Sequence, residues 1–80
     1  MDHFTPSEEI FNDMKKAATE IWNTYDDTYG YRTEKLDRIN SIQNYTDNVM
    51  VMFRMFDGSN QDKMKALVSP ESIKYINQNL

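Results

Sequence analysis

From Thr5 to about Tyr29 the apolar side chains recur at helical spacing: Ile10, Phe11, Met14, Ala17, Ala18, Ile21, Trp22, Tyr25 and Tyr29. Steps of three and four place them on one stripe of an α-helix, and such a stripe has to be covered by other elements. Thr5-Pro6-Ser7-Glu8 reads as its start. Threonine caps, proline suits the first helical position, and an acid three residues on completes a capping box. Asp26, Asp27 and Thr28 weaken the far end, and Gly30 supplies the left-handed conformation that ends helices. Two acids in a last turn oppose the helix dipole, which implies fraying there or a basic neighbour such as Arg32.

The remaining chain reads as three or four short helices. Thr33 caps a second one carrying Leu36, Ile39 and Ile42 or Gln43 on its apolar side. Only Tyr31 and Arg32 separate Gly30 from Thr33, so the first two helices are expected to form a tight antiparallel hairpin. Thr46 or Asp47 opens a third segment. It runs through Val49-Met50-Val51-Met52-Phe53-Arg54-Met55-Phe56, the most apolar stretch of the chain, and stops at Asp57-Gly58. So short an apolar run fits a strand as well as a helix. Helix is favoured because no partner strand is evident and methionine is a good helix former. Ser59 caps a fourth helix with Met64, Leu67 and Val68 inward. Ser69-Pro70-Glu71 starts a last one that groups Ile73, Ile76 and Leu80, with Tyr75 beside them. The expected fold is a small all-α single-domain bundle over residues 1–80, with 1–4 frayed: one long amphipathic N-terminal helix packed by three or four short helices.

Composition narrows the chemistry. No cysteine occurs among the 80 residues, which removes disulfides, thiolate metal sites and cysteine nucleophiles and fits a reducing cytoplasm. No apolar run approaches a membrane span, and the N-terminus lacks the pattern of a signal peptide. Asn44-Tyr45-Thr46 matches a glycosylation sequon that has no meaning without secretion. The wealth of asparagine and lysine is of the kind met in low-GC bacteria and their phages.

Net charge is −4 and uneven. Residues 1–30 hold seven acids against Lys15 and Lys16, giving −5, whereas residues 31–65 hold six bases and five acids, giving +1. The acidic first helix disfavours phosphate-backbone binding.

Catalysis requires converging titratable groups. His3 is the one histidine and lies in the lead-in. Glu8/Glu9 and Asp26/Asp27 are adjacent pairs whose side chains diverge on a helix, so they do not share a substrate as paired acids must. A calcium loop from Asp57 lacks the glycine at its sixth position and has Val68 at its twelfth. Two glycines cannot build a phosphate-cradling loop. A helix-turn-helix over Phe53–Leu67 would place Asn60, Gln61, Lys63 and Lys65 on its second helix, with too few bases for strong phosphate attraction. The expectation is a non-enzymatic chain with no cofactor and no metal.

The interaction surface is expected on the third segment. On a helix Val49, Met52, Phe53 and Phe56 share one face, while Met50, Val51 and Met55 lie on others and Arg54 stands nearly alone in charge. Such a rod is either the central helix of the bundle or one whose second face docks a protein; methionine thioethers suit the latter. Tyr25, Tyr29 and Tyr31, flanked by Asp26, Asp27 and Arg32, form a second candidate, because tyrosine and arginine concentrate interface energy. Tyr25 and Tyr29 also continue the first helix's apolar stripe, and packing at the core or its edge is the favoured expectation for those two. The expected partner-binding residues are therefore Met50, Val51, Arg54, Met55, Tyr29 and Tyr31. The expected function is a protein-protein interaction module of the adaptor, inhibitor or regulatory kind. A self-associating homo-oligomeric subunit is the alternative, and a DNA-binding helix-turn-helix comes behind both.

Overall fold

The computed structural model describes residues 7–42 and 45–80, the side chains of 45–48 excepted. Thr5, Pro6, His3 and Asn44 of the sequon lie outside the described residues. Among those described there are five helices and no strand: α1 (Glu8–Trp22), α2 (Tyr31–Ser41), α3 (Tyr45–Arg54), α4 (Gly58–Leu67) and α5 (Pro70–Gln78). The all-α bundle, and the helical state of the apolar third segment, are as the sequence implies.

α1 starts at Glu8, two residues later than the threonine-proline signal. Ser7 is its cap, with the hydroxyl accepting the Ile10 N–H at 3.2 Å, and Glu8 and Glu9 sit in the first turn where the helix dipole favours acids. Its buried residues run from Ile10 to Trp22 along the expected stripe. The helix ends at Trp22 rather than Tyr29, because the residues that follow bond to each other. The Thr24 hydroxyl donates to Ile21 O at 2.7 Å, and Asp26 accepts both the N–H and the hydroxyl of Thr28. Short polar side chains of this kind offer the backbone an alternative to the helix.

The connection is therefore residues 23–30, not the two-residue hairpin that the sequence suggested. Gly30 has φ +77°, a left-handed conformation, but it stands at the head of α2. Thr33 is not the cap. Instead Asp27 reaches forward, accepting the Thr33 N–H at 3.0 Å and its hydroxyl at 2.6 Å. These two bonds lead the causes that hold the Asp27 carboxyl below its ordinary value, with Arg32 adding to them. Downstream, α3 already begins at Tyr45, so neither Thr46 nor Asp47 precedes it. Asp57, not Ser59, holds the cap position of α4. Ser69 caps α5 as expected, accepting the Ser72 N–H at 3.3 Å, with Pro70 in the first turn.

α1 is the hub. It packs against each of the other four helices, and α3 meets α4 besides. The expectation of a central α3 is thus corrected: α3 is one spoke, and its Val49, Met52, Phe53 and Phe56 face is buried. Ile39 from α2, Met64 from α4 with Val68 just beyond it, and Tyr75 and Ile76 from α5 complete the core. Leu67 and Leu80, both expected inside, are 48% and 74% exposed; each lies at a helix end, where the apolar period outruns the contact.

α5 is tied to α1 by one carboxylate. Asp13 accepts the Ser69 N–H at 2.8 Å and the hydroxyl of the fully buried Ser72 at 2.7 Å. Burial pushes the Asp13 carboxyl up, but the bonds from Ser69 and Ser72, aided by Lys16, outweigh it and the net displacement is downward. A carboxyl lowered by folding stabilises the fold fully above its unfolded value, and that contribution is lost as pH falls through the folded value. Asp13→Ala is expected to reduce stability by about 1–3 kcal/mol near neutrality, because a buried hydroxyl loses its acceptor. In urea titrations the gap from the parent should narrow as pH drops below about 4. A gap that persists at low pH would exclude the charge as its origin.

Candidate functional site

The six residues singled out in the sequence divide three ways. Met50 is 6% exposed and belongs to the core, so it is not available to a partner in the folded chain. The outer side of α3 and its end reduce to Val51, Arg54 and Met55; Val51 is 36% exposed, Arg54 is exposed and Met55 is half-buried. Tyr25 packs against the core edge as expected, but Tyr29 does not: it lies beyond the end of α1 and is 87% exposed, and Tyr31 is 61% exposed.

Arg54 and Met55 line a cleft of about 420 Å³ with Trp22, Tyr25, Phe56, Asp57 and Asn60. Its walls follow from α1 ending at Trp22. The Trp22 ring stacks on Phe56 (centroids 5.3 Å, planes 25° apart) and lies tilted against Tyr25 at 4.5 Å. Lys35 of α2 sits 6.0 Å from the Trp22 ring. The buried indole N–H of Trp22 has no hydrogen-bond partner among the described residues. An unpaired buried donor costs about 1–3 kcal/mol. The two aromatic contacts offset it, at about 0.5–1.5 kcal/mol each beyond the area they bury.

Polar contacts fix the rim. The Asn60 carboxamide donates to the Tyr25 hydroxyl, the Arg32 guanidinium donates to Tyr25 O at 3.2 Å, and Gln61 donates to Phe56 O at 3.0 Å. Arg54 donates to Asn79 O at 3.2 Å, which joins the end of α3 to the end of α5. Burial raises the Tyr75 hydroxyl above its ordinary value, and the Arg54 charge opposes that. Tyr75 therefore stays protonated at neutral pH.

Tyr25 unites the two sequence candidates. Its ring lines the cleft, and its backbone lies in the connection that carries Tyr29. Tyr31 opens α2 directly after it. The Asp26 and Asp27 bonds brace this connection, which carries Tyr29, and Asp27 ties it to the first turn of α2, where Tyr31 stands. The sequence pointed to Arg54, Met55 and the tyrosines but missed Trp22, Phe56 and Asn60. The Trp22/Tyr25 spacing of three was a usable signal. Asn60 was read as a possible base contact, yet its side chain is spent on Tyr25, and that of Gln61 on Phe56 O.

Chemically the cleft offers aromatic faces, a thioether, a guanidinium, a carboxylate and a carboxamide. This set suits holding a side chain. Among the described residues no group of three or more histidine, cysteine, aspartate or glutamate side chains could hold a metal ion, and no helix is long and apolar enough to cross a membrane. The fold and site together define a small all-α domain with an aromatic cleft beside a tyrosine-bearing turn. Compared with protein-family models, characterised proteins and solved structures, the chain matches none.

Proposed function

We propose that this protein is a non-enzymatic protein-binding module of the adaptor, inhibitor or regulatory kind, which engages its partner through the tyrosine turn and the adjoining cleft. The observation that carries this reading is the exposure of Tyr29 on a turn braced by Asp26 and Asp27, and of Tyr31 at the adjoining start of α2. Neither ring serves the core. Tyrosine supplies a large contact area with little conformational freedom to lose, and a preformed turn reduces the ordering cost of association. Arg54 and Met55 extend the surface: the guanidinium gives directional bonding, and the thioether adapts to varied shapes.

The test places a photo-crosslinking benzoylphenylalanine at Tyr29 or Tyr31 of the full chain, expressed in its native cell. A control carries it at the exposed Asn40 of α2. A discrete protein adduct from the tyrosine positions, absent from the control and lost when the other tyrosine is changed to alanine, is the expected result. Equal labelling from all three positions, or none, would overturn the reading.

A further inference from the structure

A second groove lies between α1 and α4, away from the tyrosine turn. It measures about 390 Å³, with Ile21 and Ala66 along it, Glu20 on the α1 side, and Lys63 and Leu67 on the α4 side. A hollow of about 240 Å³ continues from it past Ala17, sharing Glu20 and Leu67 and bordered on the α1 side by Asp13 and Lys16. Leu67, which the helical period would direct inward, is 48% exposed on this groove. Glu20 and Lys63 border it from opposite helices. Among the described residues neither side chain makes a hydrogen bond or an ion pair.

An apolar strip with an unpaired acid on one side and an unpaired base on the other is its own electrostatic complement under two-fold rotation. We propose that the occupant of this groove is a second copy of the same chain. A two-fold axis along the groove lays α1 of one protomer over α4 of its partner. Glu20 then faces Lys63 of the partner subunit, and its own Lys63 faces the partner's Glu20. Leu67 of each copy enters the other's groove above Ala17 and Ile21, so the two exposed leucines leave water together. Charge disfavours a strongly acidic or basic occupant, because the groove and its hollow together carry two charges of each sign, Glu20 and Asp13 against Lys63 and Lys16. The surface is separate from the proposed partner site, so either can fail without the other.

Sedimentation equilibrium of the full chain from about 10 µM to about 1 mM is expected to show a mass rising from one chain toward two. Glu20→Lys and Lys63→Glu each place like charges across the axis twice. Each variant alone is expected to weaken association by about tenfold or more. Mixed in equal amounts the two variants should pair with each other, and the double variant should again pair with itself. Circular dichroism establishes that all three are folded, and both positions are exposed. A parent chain that stays monomeric throughout would overturn the proposal. So would single variants that associate like the parent, or a mixture that fails to pair.

Discussion

Phe53→Ala is expected to lower stability by about 3–5 kcal/mol. Phe53 lies in α3 at 2% exposure, among the largest fully enclosed side chains of the molecule, and the Lys65 ammonium sits 5.8 Å from its ring. Removing the ring leaves a void and deletes a cation–π contact of about 0.5–1 kcal/mol. A domain of this length has a total stability of only roughly 4–12 kcal/mol. The variant should therefore sit at the edge of folding, with a melting temperature reduced on the order of 20 °C by circular dichroism. A shift of a degree or two would mean that the ring is not part of the closed core.

The second large effect separates neighbours in the chain. Met50→Asp should unfold the domain, because a carboxylate at a site 6% exposed has no partner and costs about 4 kcal/mol or more. Val51→Asp places the same charge one residue on, at the half-open surface, and should change stability by less than about 1 kcal/mol. Sequence reasoning offered both residues for docking; the structure buries Met50 and leaves Val51, about 100° further round α3, at the surface. Denaturation of both variants in urea decides the matter. Equal tolerance of the two would restore Met50 to the surface, and equal collapse would move Val51 into the core.

What the sequence made legible is the set of local signals that agree with one another. The stripe through Trp22 coincides with the buried side of α1, and the Ser69-Pro70-Glu71 start coincides with α5. Two local signals conflict after Trp22. Tyr25 and Tyr29 keep the helical period, while Asp26, Asp27 and Thr28 bond to nearby backbone and end it. The polar bonds prevail: α1 stops at Trp22 and Tyr29 is left 87% exposed. Other features were out of reach because they depend on pairing across the fold. Periodicity shows that a helix has an inner side, but not which helix covers it, so Met50 and the hub position of α1 had no signature. The Asp13 bond to Ser69 spans 56 residues of chain, and nothing near either residue announces it. Half of the candidate site was visible for the same reason. A cluster of tyrosines and an arginine isolated in an apolar run stand out in the sequence, whereas a cleft is formed by where helices stop.

α1 meets all four companions, while among those companions only α3 and α4 share a substantial contact. The molecule is a wheel with one axle, and its parts do not carry equal weight. A change confined to α2 or α5 is felt mainly there and along one sector of α1. A change inside α1 reaches every sector at once. Sequence drift should accordingly run freely around the rim and hardly at all along the inner stripe from Ile10 to Trp22, so that distant descendants would be recognisable by their axle long after their rims had ceased to resemble one another.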